Sequence, residues 1–269
     1  MPRRILGIIP ARFASSRFPG KALASIAGKS MLERVVERAS QARCLSQVLV
    51  ATDDERIASE ARRIGAAVRM TRADHPSGTD RVAEVASADS AELVVNIQGD
   101  EPLIDPAAID AAVLGLLGAP EIIPMGTLKK RIVDRSEIGN PSVVKVVTDR
   151  EGNAIYFSRA PIPYVRDGAA AEHWKHIGLY VYRREFLLSY SRLPIGPLER
   201  AECLEQLRAL ENGYQIRVVE TEYESVHVDT PEDLEKVNRL LGASALAARA
   251  PGESLNRTTN DAQWPSTSS

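Results

Sequence analysis

Between residues 5 and 118 the chain repeats one pattern: a short apolar run, a turn, then a stretch with helical period. The runs are ILGIIPA, QVLVATD, AAVRMT and ELVVNIQGDE. The stretches after them are SMLERVVERASQA, ERIASEARRIG, GTDRVAEVASA and DPAAIDAAVLGLLG. In the first of these, Met31, Leu32, Val35, Val36 and Ala39 recur at helical spacing and predict one apolar face. Parallel strands need crossovers, and helices on both faces of the sheet supply them with a right-handed turn. The predicted class is α/β: a mainly parallel central sheet in three layers, helix, sheet, helix.

Local signals mark the element ends. Asp105 stands at an N-cap with Pro106 behind it at N1, and Gly65 follows a helix as its stop. After residue 140 the pattern changes. PSVVKVVTDREGNAIYFSR predicts two strands joined by a Gly-Asn turn, and HIGLYVYRREF predicts another strand. RAECLEQLRALENG predicts one helix ending at glycine, and YQIRVVETE and SVHVD predict late strands. TPEDLEKVNRLL predicts a final helix, with Thr230 as cap, Pro231 at N1 and Asp233 at N3. This gives a single domain over 1–242. Residues 243–269, rich in Ser, Thr, Asn, Pro and Ala, are expected to form a disordered tail.

The net charge is −2, which argues against a nucleic-acid partner, so any cation cluster must be local. Two distant cysteines, Cys44 and Cys203, suit a reducing compartment. The apolar run near the N-terminus is too short for a signal peptide, and no run is long enough to span a membrane. A cytoplasmic protein is expected.

In a parallel sheet, ligands bind beyond the carboxyl ends of the strands, so the loops there carry the candidates. RFASSRFPGK offers Arg12, Arg17 and Lys21. It matches neither G-x-G-x-x-G nor the P-loop, and it reads either as a phosphate clamp or as a solvated turn. NIQGDEP offers Gln98, Asp100 and Glu101, and HVDTPED offers Asp229. Each acid is a metal ligand or a helix-end group; two acids at two sheet ends favour a shared Mg²⁺. TRADHPSGTDR carries Arg72, Ser77, Gly78, Thr79 and Arg81, whose hydroxyls either cap a helix or read a base edge. His75 reads as a loop residue. His176 and Tyr180 share one strand face, as do His227 and Asp229. No zinc spacing and no nucleophile elbow is present.

Taken in order, IIPARFASSRFPGK, MTRADHPSGTDR, VVNIQGDEP, NPSVVKVV, YFSRAPIP, HIGLYVYRREF, LEQLR and VDTPEDLE resemble the 3-deoxy-manno-octulosonate cytidylyltransferase family from residue 5 to about 241. The resemblance implies a Rossmann-like nucleotidyltransferase fold. A small β-rich insertion, roughly 140–195, would serve the sugar side and dimer contacts. It implies transfer of CMP from CTP to the sugar acid KDO with release of pyrophosphate, for lipopolysaccharide biosynthesis. Mg²⁺ is then the cofactor, and the enzyme is a cytoplasmic homodimer. Arg12, Arg17 and Lys21 would hold the triphosphate, with Arg72, Ser77 and Gln98 in the segments that line the nucleotide or sugar pocket. Asp100 and Asp229 would be metal ligands, with Lys21 and Arg12 completing the catalytic set. Gln98, Arg159, His176, Tyr180, Glu205 and Gln206 would face the sugar, Arg159 as partner of its carboxylate. No role is implied for His227. The alternatives are a related acid such as 8-amino-KDO, or a catalytically silent nucleotide-binding protein. The second is disfavoured because Lys21 and both acids are present.

Overall fold

The computed structural model describes residues 3–14, 18–166 and 171–249, the last seven as backbone. Strand β1 (Ile5–Ala11) leads through a 3₁₀ turn at Lys21–Leu23 to the ribbon β2 (Ser25–Ile26) and β3 (Lys29–Ser30). Then come α1 (Met31–Ala39), β4 (Gln47–Thr52), α2 (Glu55–Arg63), β5 (Ala67–Met70), α3 (Gly78–Ser87), β6 (Leu93–Asn96) and α4 (Pro106–Leu117). The second half holds β7 (Met125–Arg131), β8 (Lys145–Thr148), β9 (Ala154–Ser158), β10 (Trp174–Arg183), α5 (Arg184–Tyr190), α6 (Pro197–Glu202), α7 (Leu207–Glu211), β11 (Ile216–Glu220) and α8 (Pro231–Arg249).

The main sheet runs β11-β7-β10-β6-β1-β4-β5. β6, β1, β4 and β5 are parallel neighbours, β11 is parallel to β7, and β10 is antiparallel to both β6 and β7. The alternation of β1 shows how the layers form. Ile5 and Ile9 enter the core under α1, α2 and α4, while Leu6 and Ile8 enter the opposite core with α3, α5 and α7. Leu6, Ile8 and Ile9 are wholly buried, each contributing about 1.5–3 kcal/mol by leaving water. A third small core, with Ile26, Met31, Val228 and Val237, docks α8 against the β2–β3 ribbon.

Several sequence expectations hold at the element ends. Asp105 caps α4 by accepting from the Ala107 amide, and Gly65 adopts φ 74 beyond α2. At the start of α8 the capping is reciprocal: Thr230 Oγ1 accepts from the Asp233 amide at 3.2 Å, and Asp233 Oδ2 accepts from the Thr230 amide at 3.0 Å.

Other expectations need correction. The strand expected at SVHVD is irregular backbone, its Val228 amide donating to Asp100 O and its Ser225 and His227 side chains partnered in the site. β7 was not anticipated, since the polar half of MGTLKKR hides its buried first four residues. Within the region 140–195, β10 lies in the middle of the main sheet and only β8 and β9 lie off the path. The boundary expected at 242 falls inside α8, because ASALAAR is built from good helix formers. The remainder of the expected tail, 250–269, is outside the described residues.

The helix expected over 200–213 is broken. Cys203 turns the backbone into the left-handed region at φ 51, ending α6 and letting the chain re-enter as α7. A buried ion pair spans the break: Arg208 donates from Nε to Glu199 Oε2 at 2.9 Å and from Nη2 to Oε1 at 2.6 Å. Replacing Arg208 with Leu strands the Glu199 carboxylate and should cost about 3–5 kcal/mol in urea unfolding. Leu at both positions should recover most of that loss. Equal destabilisation in the single and double variants would refute a pairwise origin.

Candidate active site

Three loops at the carboxyl edge of the sheet meet the segment before α8. Arg12, Lys21, His75, Ser77, Gln98, Asp100 and Asp229 line a cavity of about 280 Å³ between them. β1 and β6 are adjacent and parallel, so the loops after them emerge side by side. Gly99 permits their close approach, because a Cβ there would sit 2.9 Å from the Pro10 carbonyl oxygen. Gly20, at φ 71, returns the first loop on itself, its amide donating to Phe13 O at 2.9 Å.

Lys21 is the centre of the cavity. Its ammonium donates to Asp100 Oδ2 at 2.8 Å, to Asp229 Oδ1 at 3.1 Å and to the Val228 carbonyl at 3.2 Å. Burial alone would raise the Asp100 carboxyl. Nearby His227 and the charge and hydrogen bond of Lys21 outweigh burial and hold it at about 2. His227 sits half-exposed at the rim, with Nδ1 3.7 Å from Asp100 Oδ1 and Nε2 3.4 Å from Glu101 Oε1. Burial disfavours its charged form, but Asp100, Glu101 and Asp229 override this and lift it to about 9. Glu101 is buried, and burial pushes its carboxyl up against the pull of His227, Ser225 and Tyr223.

A second, inner chamber of about 100 Å³ adjoins the first and shares Pro10, Gly78 and Gln98 with it. Its wall carries Tyr180, Asn96, Glu205 and Gln206. Tyr180 donates from its hydroxyl to Gln206 Oε1 at 3.2 Å. Asn96 Oδ1, Glu205 Oε1 and Gln206 Nε2 are buried without a protein partner. Burial raises the Glu205 carboxyl and lifts the Tyr180 phenol far above its ordinary value. The chamber therefore offers acceptors and a donor at fixed positions, a surface suited to hydroxyl groups.

The structure thus brings together Arg12, Lys21, Ser77, Gln98, Asp100 and Asp229 in the outer cavity. Gln98, Tyr180, Glu205 and Gln206 meet in the inner one. Ser77 is also the α3 cap, accepting from the Asp80 amide at 3.1 Å. His176 lies behind Tyr180, ring centres 5.5 Å apart, and its Nε2 meets Thr127 Oγ1 at 2.9 Å. Burial, with His227 adding to it, pushes the His176 imidazole down to about 3. Arg72 is not brought to the cavity. It is exposed and pairs with Asp74 and Glu84 at 3.6 and 3.9 Å. Nor does Arg159 line either chamber: its guanidinium donates to the carbonyls of Pro141, Glu202 and Cys203. Arg17 lies outside the described residues.

Sequence reasoning missed His75, which is buried at the cavity wall and bonds Glu84 through Nε2. It also missed Asn96. The signal for Asn96 was present: an amide inside the apolar run VVNI must find a partner or face a site. No short-range signal announces the His75–Glu84 pair, which folding creates.

Among the described residues, no group of three or more His, Cys, Asp or Glu could hold a metal alone. Two ionisable acids that converge on one cation nevertheless fit Mg²⁺, which takes one or two carboxylates and completes its shell with phosphates and water.

The chain matches a family model described as Cytidylyltransferase over residues 6–221. It is 68% identical over 253 residues to the 3-deoxy-manno-octulosonate cytidylyltransferase of Solibacter usitatus, covering 94% of this chain and 100% of that protein. The protein of the same name from Syntrophotalea carbinolica is 58% identical, over 87% of this chain and 96% of that one. A solved structure of CMP:2-keto-3-deoxy-manno-octonic acid synthetase complexed with CTP superposes with a TM-score of 0.86 at 44% identity. That match covers 90% of this chain and 99% of the solved chain.

With metal removed by EDTA, Lys21→Met should raise the Asp100 pKa from about 2 toward the ordinary carboxylate range, read by carbon NMR of the side-chain carboxyl. An unmoved value would show that Lys21 does not hold this acid ionised.

Proposed function

The chain belongs to the cytidylyltransferase family, and from that membership and the cavity geometry we propose that it transfers CMP from CTP to 3-deoxy-manno-octulosonate, releasing pyrophosphate. The observation that carries the reading is the convergence of Asp100 and Asp229 on Lys21 beside a chamber of unpaired polar groups. Phosphoryl chemistry of this kind asks the protein mainly to align the reactants and neutralise charge.

Asp100 and Asp229 would hold Mg²⁺. Bound there, the ion supplies Lewis acidity at the α-phosphate and lowers the pKa of the attacking hydroxyl. The residues do the rest. Arg12 and Arg17 grip the triphosphate as planar forks, and Lys21, a mobile point charge, neutralises the departing pyrophosphate. Gln98 stands between the chambers, at the meeting point of nucleotide and sugar. Tyr180, Glu205 and Gln206 orient the sugar hydroxyls so that the anomeric oxygen faces the α-phosphorus in line. His176, neutral at pH 7, supports Tyr180 from behind. No histidine is needed as general base.

The same reading places the enzyme in the cytoplasm, where CTP is available, and makes it a homodimer. No described helix is long and apolar enough to cross a membrane. For the dimer, β9 is paired as a strand only with β8 among the described residues, and Ile155 on it is 60% exposed. Such an edge invites a second copy.

Pyrophosphate release should require CTP, Mg²⁺ and the 3-deoxy sugar acid together; no turnover with any such acid would sink the reading. Asp100→Asn should lower kcat by more than about a hundredfold while leaving the urea midpoint near wild type. Full activity in that variant would remove Asp100 from the metal. Sedimentation velocity should give twice the chain mass, and a monomer would overturn the dimer.

A further inference from the structure

Asp100 and Asp229 reach the cavity by unequal routes. Asp100 follows β6 directly and is held by the main sheet. Asp229 ends an irregular segment, 221–229, between β11 and α8. On its far side Asp229 is anchored by the helix cap, its amide donating to Asp233 Oδ2 at 3.1 Å. On its near side the backbone of the segment is tied at its two ends: Thr221 N to Lys129 O at 2.9 Å and Lys130 Nζ to Glu222 O at 2.7 Å, then Val228 N to Asp100 O at 2.9 Å and Lys21 Nζ to Val228 O at 3.2 Å.

The side chains between those ties converge on one group. Tyr223 donates from its hydroxyl to Glu101 Oε2 at 2.9 Å, and Ser225 donates to Glu101 Oε1 at 2.8 Å. Glu101 is 1% exposed; its bond from Tyr223 is buried and its bond from Ser225 is partly so. The carboxylate offers only acceptors, and each oxygen meets one hydroxyl. The other anchors of the segment are more exposed: His227, 3.4 Å from Glu101 Oε1 and 3.7 Å from Asp100 Oδ1, is half in solvent. Glu224 pairs with Lys130 and Lys175, but its side chain is half in solvent, where ion pairs contribute little.

We infer that Glu101 is a positioning residue: through Tyr223 and Ser225 it ties the 221–229 segment to the Asp100 loop and so sets the distance between the two metal-binding acids. This rests on the proposed role of Asp100 and Asp229. One loop then carries both a ligand and the clasp that places the other ligand. Partners of this outer kind typically change metal affinity by about 10–100-fold when removed.

The test uses Mn²⁺ as probe in the full-length protein saturated with CTP, its binding followed by the electron paramagnetic resonance signal of free Mn²⁺. The double variant Tyr223→Phe/Ser225→Ala should weaken Mn²⁺ binding about tenfold. CTP affinity in EDTA, measured by calorimetry, should stay within about twofold of wild type. Glu101→Gln, which still bonds both hydroxyls by accepting one and donating to the other, should fall between wild type and the double variant. Unchanged Mn²⁺ affinity in the double variant overturns the inference. So does an equal loss of metal-free CTP affinity, which would mark a general structural defect. If the double variant unfolds, Ser225→Ala alone carries the same comparison. Failure of the wild-type protein to bind Mn²⁺ with CTP would overturn the ligand assignment itself, and is thereby distinct from failure of the Glu101 clasp.

Discussion

One ammonium group joins three distant parts of the chain. Lys21 Nζ lies within 2.8 Å of Asp100 and 3.1 Å of Asp229, so the first loop, the β6 loop and the entry to α8 share a single charge. The side chains are 18%, 24% and 35% exposed. That leaves them too wet to dominate stability and dry enough for their charges to act on each other. Without a cation the two carboxylates would repel across the cavity mouth, and the fold supplies one from its own first loop. A metal held by the same acids, as proposed, would compete with Lys21 for them, and Lys21 would then be available to phosphate, so the acid pair would never stand bare.

The sheet topology serves that meeting point. Parallel β1 and β6 are neighbours, so two of the three segments emerge at the same edge. The third arrives by a longer path, which is why its placement depends on Glu101, Tyr223 and Ser225 as well as on backbone pairing. The half of the sheet holding β10 and β7 is antiparallel at its centre, and it carries Tyr180 to the wall of the inner chamber. The inner chamber thus draws its wall from both kinds of pairing, Asn96 from parallel β6 and Tyr180 from antiparallel β10.

The first half of the fold was legible because each element there has a single dominant periodicity. β1, β4, α2 and α4 could be read almost to the residue, since period-2 or period-3.6 patterns coincide with capping residues at their ends. Legibility failed where a tertiary interaction overrode the local signal. The stretch 200–213 has helical composition throughout, yet Cys203 breaks it, and the Glu199–Arg208 pair spans the break. The same holds in the site. Asp100, Asp229 and Lys21 could be expected to meet because a parallel sheet sends the loops expected to carry them to one edge. Arg72 and Arg159 fell on motifs too, but solvent-facing acids hold one and backbone carbonyls hold the other. His75 was readable as a loop residue, but its place at the cavity wall was not, since its partner Glu84 comes into reach only on folding.

The inner chamber shows why such a protein can be selective. Asn96 Oδ1, Glu205 Oε1 and Gln206 Nε2 are buried with no protein partner. Each unpaired group costs about 1–3 kcal/mol if it stays so. A ligand that presents hydroxyls at the right positions removes that cost. A ligand lacking one of them leaves a group desolvated and unpaired, which rejects it far more strongly than an apolar wall would. The penalty for a missing hydroxyl is therefore expressed as discrimination on binding. Glu205 and Gln206 sit just after the turn at Cys203, where a continuous helix would have set the direction of their side chains by its own period. The break that defeated the sequence pattern is the feature that frees these two side chains to face the chamber.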